Sequence, residues 1–104
     1  MYVLARLKNN FPVVVVPGVT SMTACAAAHL HPLAARNDTL MVLPAPLDDA
    51  ALRAAILSSE AVAIIKLGRH MPRIRALLND LRWAGSTVYV SHASLEKRVD
   101  VLLR

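Results

Sequence analysis

Cysteine, glycine and aromatic residues are all scarce in this chain, and acids are outnumbered. The single cysteine, Cys25, excludes a disulfide within the chain. It also excludes the small secreted scaffolds that depend on one, so a cytoplasmic protein is expected. With three glycines in all, the turn after the first apolar run lacks both the lysine and spacing of a P-loop and the three glycines of a dinucleotide fingerprint. Four aromatics are too few for a base-stacking platform, which argues against a small basic nucleic-acid binder. No apolar stretch is long enough to span a bilayer. Arg6 and Lys8, the apolar run after them and Thr23-Ala24-Cys25 imitate a secretory leader, but Pro12, Pro17 and Gly18 interrupt the apolar part.

What is present is a core. The 104 residues are 56% hydrophobic and 18% charged, which rules out disorder as the default. That length makes one domain able to bury about two-thirds of its unfolded surface. Twelve basic residues, most of them arginine, against seven acidic ones give a net charge of +5. This fits either a soluble surface with few acids or a polyanionic partner, nucleic acid or a small molecule with many carboxylates.

Elements alternate along the chain. Residues 1–8 read as a helix with Val3, Leu4 and Leu7 on one face, ended by Asn9-Asn10. Val13 to Val16, four consecutive valines, suit a strand covered on both faces. Pro17-Gly18 should stop that strand and turn the chain, and Thr20 or Ser21 can cap an alanine-rich helix that runs to Leu30 and ends at Pro32. Arg36-Asn37-Asp38 is a turn. A strand at Thr39–Leu43 closes at Pro44-Ala45-Pro46. The helix Leu47–Ser58 carries Asp48 and Asp49 in its first turn and Leu52, Ala55 and Ile56 as its stripe. Ala61–Leu67 is a third strand, broken by Gly68. The helix Met71–Trp83 is amphipathic, with Pro72 in its first turn and Gly85 at its end. Strands follow at Thr87–Val90 and Val99–Leu103. The alternation predicts an α/β fold: a layered mixed sheet of four to five strands with flanking helices.

Two stretches can carry chemistry. The first is the turn Pro17–Ser21, whose helix would present unpaired amides beyond a strand end, where open α/β sheets bind ligands; its plain alternative is an ordinary capped helix. The second is Lys66-Leu67-Gly68-Arg69-His70-Met71-Pro72-Arg73-Ile74-Arg75, which also follows a buried strand. Gly68 permits close backbone approach. Lys66, Arg69, Arg73 and Arg75 make a positive field suited to carboxylates or phosphates. Cations at a helix N-terminus oppose the dipole, which favours a functional reason over a solvated helix end. His29 and His31 lack partners at metal-ligand spacing, and Cys25 reads as a small buried residue.

The segment Pro17-Gly18-Val19-Thr20-Ser21-Met22-Thr23-Ala24-Cys25-Ala26-Ala27 resembles the "PG[IV]T" segment of the tetrapyrrole methylases, in particular the branch that methylates C20 of precorrin-2 in cobalamin biosynthesis. Thr39–Pro44, Ile65–Pro72 and Val88-Tyr89-Val90 followed by Ala93-Ser94-Leu95 agree with it in order. The resemblance implies methyl transfer from S-adenosyl-L-methionine to precorrin-2 or cobalt-precorrin-2, with the cofactor folded between two α/β domains. It implies that residues 1–104 are the second, C-terminal domain, residues 1–10 being the end of the interdomain helix. The N-terminal domain would then be absent, and the chain inactive alone and prone to homodimerise. It assigns cofactor contacts to Thr20, Ser21, Leu67, Gly68, Ala93 and Ser94. It would make Lys66, Arg69, His70 and Arg73 the basic residues that bind the substrate carboxylates. The chain departs from the family at Ser91-His92 and at Glu96-Lys97-Arg98, where the family has Glu-Arg and Pro-Glu-Gln. No catalytic side chain, metal, nucleic acid or membrane is expected. The alternative reading is a non-catalytic interaction module.

Overall fold

The computed structural model describes residues 2–102. Two parallel strands near the middle of the chain organise it. β1 (Leu40–Pro44) and β2 (Ala61–Ile65) pair in the register Leu40↔Ala61 through Pro44↔Ile65. Parallel strands need a crossover between them, and α1 to α4 include the helix that makes it: α1 spans Tyr2–Leu7, α2 Ser21–Ala28, α3 Asp49–Leu57 and α4 Met71–Asp80, with α3 joining β1 to β2. β3 (Val88–Ser91) pairs antiparallel with β4 (Val99–Leu102).

Local signals explain α3 and α4. Asp48 is the N-cap of α3, its carboxylate accepting from the Ala51 amide at 2.7 Å. The expected stripe is realised: Leu52 and Ile56, one turn apart, are 0% and 1% exposed. Pro72 sits in the first turn of α4, and Ile74, Leu77 and Leu78 are buried. These side chains meet Leu43, Ala45 and Ala84 in one cluster, with Val62, Ile64, Leu67 and Trp83 packed around it. Each fully buried leucine or isoleucine contributes about 1.5–3 kcal/mol by leaving water. Two ion pairs reach α3 from α4: Arg53 with Asp80, and Arg73 with Asp49. The beginnings of β1 and β2 are clasped by Glu60, which accepts from the backbone amide and the hydroxyl of Thr39, both at 2.6 Å.

Several expectations are corrected. The four described strands form two separate two-stranded sheets instead of one layered sheet of four to five. Val13–Val16 lies in no strand, and all four valines are exposed, Val14 by 87%. Apolar β-branched residues favour extended backbone, but a strand exists only where a neighbour takes its hydrogen bonds. No turn forms at Pro17-Gly18, and Gly18 keeps an ordinary φ. α2 stops at Ala28, short of Pro32. Leu30 takes the left-handed conformation (φ +53°), while the Leu30 amide donates to Ala27 and the His31 amide to Ala26. α4 ends the same way at Arg82 (φ +60°), with the Trp83 amide donating to Leu78; Gly85 falls in the 3-10 turn Ala84–Ser86 that follows. Sequence reading gave both stops to Pro or Gly because those residues adopt such geometry at least cost. Leu103 of the last expected strand lies outside the described residues.

Two outcomes test this account. Leu52→Ala should cost about 2–5 kcal/mol in denaturant unfolding, because the site is closed on every side. Glu60 has its pKa lowered by the Thr39 hydroxyl and then by the Thr39 amide. Its contribution is therefore present above the unfolded carboxylate range and lost as pH falls through the folded value. The stability difference between the parent chain and Glu60→Gln, read from urea midpoints, should be present at pH about 6 and shrink as the pH falls below the ordinary carboxylate range.

Candidate functional site

β2 and β3 belong to different sheets. Between them lies a cleft of about 850 Å³, lined by the whole of β2, by Val88–Val90 of β3, and by Ser21, Met22, Cys25 and Ala26 of α2. Its volume falls in the range of small-molecule sites. Two of the chain's four aromatics, Trp83 and Tyr89, line it. The low aromatic count pointed away from a stacking surface. Concentration of half the aromatics at one place becomes visible only when the strands are set in space.

At the C-terminal end of β2 the backbone changes hand at successive residues. Lys66 has φ +61°, Leu67 is right-handed helical, and Gly68 has φ +39°. Such alternation turns neighbouring amides to one side and makes a concavity suited to an anion. The 3-10 turn Gly68–His70 then leads into α4, the His70 amide donating to the Leu67 carbonyl at 2.6 Å. A Cβ built at Gly68 would meet nothing within 4 Å. The glycine is there for its φ, and the space beside it is open to a guest.

The expected site residues are placed unevenly. Ser21, Lys66 and Leu67 line the cleft together. Thr20 is the N-cap of α2: its hydroxyl accepts from the Thr23 amide at 3.4 Å and lies 3.2 Å from the Thr23 hydroxyl. Gly68, Arg69 and His70 form the 3-10 turn next to the cleft, Arg69 exposed and His70 half-buried. Arg73 is committed within the fold. One guanidinium nitrogen bonds Asp49 and another bonds the Ala45 carbonyl, fastening α4 to the N-terminus of α3. Ala93 and Ser94 lie in the segment after β3 and are not among the residues lining the cleft. Cys25, half-buried, brings its thiol within 3.9 Å of the Val90 carbonyl. No cluster of three metal-ligating side chains exists among the described residues. No described helix is long and apolar enough to cross a membrane.

Comparison with known proteins gives this geometry a context. The family profile of the tetrapyrrole (corrin/porphyrin) methylases matches residues 1–102. A precorrin-2 C(20)-methyltransferase of a Sinorhizobium species is 36% identical over 96 residues, which is 92% of this chain and 39% of that protein. The cobalamin biosynthesis protein CobIJ of Mycobacterium tuberculosis is 37% identical over 94 residues, 90% of this chain and 18% of that protein. The chain thus spans well under half the length of these relatives. No solved structure matches it.

The two glycines of the expected site should behave differently. Gly68→Ala should lower stability by about 1 kcal/mol, since a Cβ at positive φ is strained even in open space. Gly18→Ala, with ordinary φ and open space, should be neutral or slightly stabilising. Chemical denaturation of the two variants side by side reads the difference.

Proposed function

The chain belongs to the tetrapyrrole (corrin/porphyrin) methylases, and from that premise we propose that it is the C-terminal half of an S-adenosyl-L-methionine-dependent methyltransferase acting on C20 of precorrin-2 or its cobalt form. The observation that carries this reading is the match of 92% of the chain to 39% of a precorrin-2 C(20)-methyltransferase, in a chain whose cleft gathers Ser21, Lys66 and Leu67.

The residues present fit the cofactor. The cleft is lined mostly by apolar side chains from β2 and β3 and can take an adenine ring. The backbone of Lys66–Gly68, open beside Gly68, can approach a ribose or a carboxylate closely. When bound, the cofactor supplies an already activated methyl group on a sulfonium. The protein's part is then to align donor and acceptor and to shape the local field. Ser21 offers a hydroxyl from α2, and Leu67 packs against the core cluster while lining the cleft. Lys66 and Arg69 are exposed beside it and offer positive charge to a polycarboxylate substrate. Ala93 and Ser94 would close over the cofactor only by a movement of the segment after β3. The opposite wall of the site belongs to an N-terminal methylase domain, and the finished enzyme pairs as a homodimer in a cytoplasmic setting.

Fusing this chain behind the N-terminal portion of the Sinorhizobium relative tests the reading. The fusion should methylate precorrin-2 with S-adenosyl-L-methionine, while the chain alone should give no turnover. Lys66→Ala with Arg69→Ala in the fusion should raise KM for precorrin-2 by about tenfold at low salt, the loss expected of one or two exposed charge-assisted contacts. A folded fusion that binds the cofactor and leaves precorrin-2 unmodified would overturn the assignment.

A further inference from the structure

We propose that Arg73 is a positioning residue for the site, one that sets the geometry of the Lys66–His70 loop by closing a clip at Ala45. As a role in loop geometry this stands on contacts within the chain; as a role in methyl transfer it rests on the proposed function.

Ala45 holds both ends of one loop. Its amide donates to the carbonyl of Ile65, the last residue of β2, at 2.8 Å. Its carbonyl accepts from the guanidinium of Arg73, in the first turn of α4. Between Ile65 and Arg73 run Lys66, Leu67, Gly68, Arg69 and His70, the site residues that come from this part of the chain. The clip is itself fixed. Ala45 is 0% exposed and stands between Pro44 and Pro46. The Pro44 ring fixes its own φ, and Pro46 restricts Ala45 to extended backbone. A second guanidinium nitrogen bonds the Asp49 carboxylate in the first turn of α3. Arg73 thus ties the start of α4 to the exit of β1 and to α3 at once.

The loop needs such a restraint. Lys66 has φ +61°, a left-handed conformation that a lysine adopts at a cost, and Gly68 follows at +39°. Strained backbone persists only where its surroundings over-determine it. Inside the loop the His70 amide donates to the Leu67 carbonyl, the Met71 amide donates to that of Gly68, and Leu67 packs on the core cluster. The clip supplies what these cannot, a fixed distance between the loop's two ends. Arginine suits the task because its planar fork offers separate nitrogens to two acceptors, where an ammonium is a single point of charge. Arg69, four residues earlier, stands exposed in the turn that the clip holds.

Amide hydrogen exchange on the whole chain tests the clip. In Arg73→Met the amides of Ala45, His70 and Met71 should exchange at least about tenfold faster than in the parent chain, while those of Leu52 and Leu78 keep their protection and show that the core has folded. Asp49→Ala leaves the Ala45 bond in place and should move the same amides less. Arg73→Lys should restore part of the protection. In the fusion with the N-terminal portion of the Sinorhizobium relative, Arg73→Met should lower kcat by about tenfold and change KM for precorrin-2 by less than about threefold, at low and high salt alike. Unchanged exchange of Ala45, His70 and Met71 in a folded Arg73→Met chain would overturn the proposal. So would acceleration of these amides and of Leu52 and Leu78 by one common factor, which would make Arg73 a general stabiliser. A rise in KM at constant kcat, abolished by salt, would make it a substrate ligand instead. A fusion that methylates nothing with Arg73 in place would count against the proposed function, and the exchange result would still decide the clip.

Discussion

Leu52, Ile56 and Ile74 are each less than 2% exposed, and the burial of these three side chains is the constraint on which the structure rests. They come from the two helices that follow β1 and β2. Two parallel strands alone expose too much backbone and too little apolar area to persist. Covered by α3 and α4 they become a stable unit. The cover is reinforced at its margins by Arg53 with Asp80, by Arg73 with Asp49, and by the Glu60 clasp on Thr39. α1 and α2, by contrast, contribute no buried residue. The free energy of folding is therefore concentrated between residues 40 and 91, and the N-terminal segments hang on it by a thin set of contacts.

The same distribution explains which features could be read in the sequence. α3 and α4 were legible because cause and effect lie within one turn of helix. Asp48 caps through its own side chain, and Leu52 and Ile56 share a face at a spacing of four. β1 and β2 were legible as short apolar runs between prolines, glycine and acids. Pairing was not, because a strand's partner is fixed by atoms remote in sequence. Val13–Val16 has the strongest strand composition in the chain and forms none. Helix ends were misplaced for a different reason. Leu30 and Arg82 accept left-handed backbone although glycine would do so more cheaply, because the closing bonds to Ala26 and Leu78 repay part of that strain.

For the site, the sequence reading placed the break after β2 at Gly68, and there the backbone has positive φ. It did not separate the arginines that follow. Arg69 and Arg73, four residues apart, look equivalent on a helical wheel. In three dimensions Arg73 spends its donors on Asp49 and the Ala45 carbonyl. The apparent conflict of a cation with the helix dipole is answered there by a carboxylate of α3, so that position has a structural reason to be basic. Arg69 has no such bond among those described and stands exposed.

The division between an anchored core and a lightly held N-terminal part has a consequence for the cleft. Its β2 wall, with Lys66 and Leu67, is continuous with the buried cluster through Val62 and Ile64. Its other wall, carrying Ser21, belongs to α2, which has no buried residue to fix its distance from β2. The methyl transfer proposed for this cleft would ask mainly for alignment, and misplacement by about 1 Å can cost about 100-fold in rate. One wall of this site is thus rigid by construction, while the other must gain its rigidity from added contacts. A second domain, or a ligand bridging Ser21 to Lys66, would supply them.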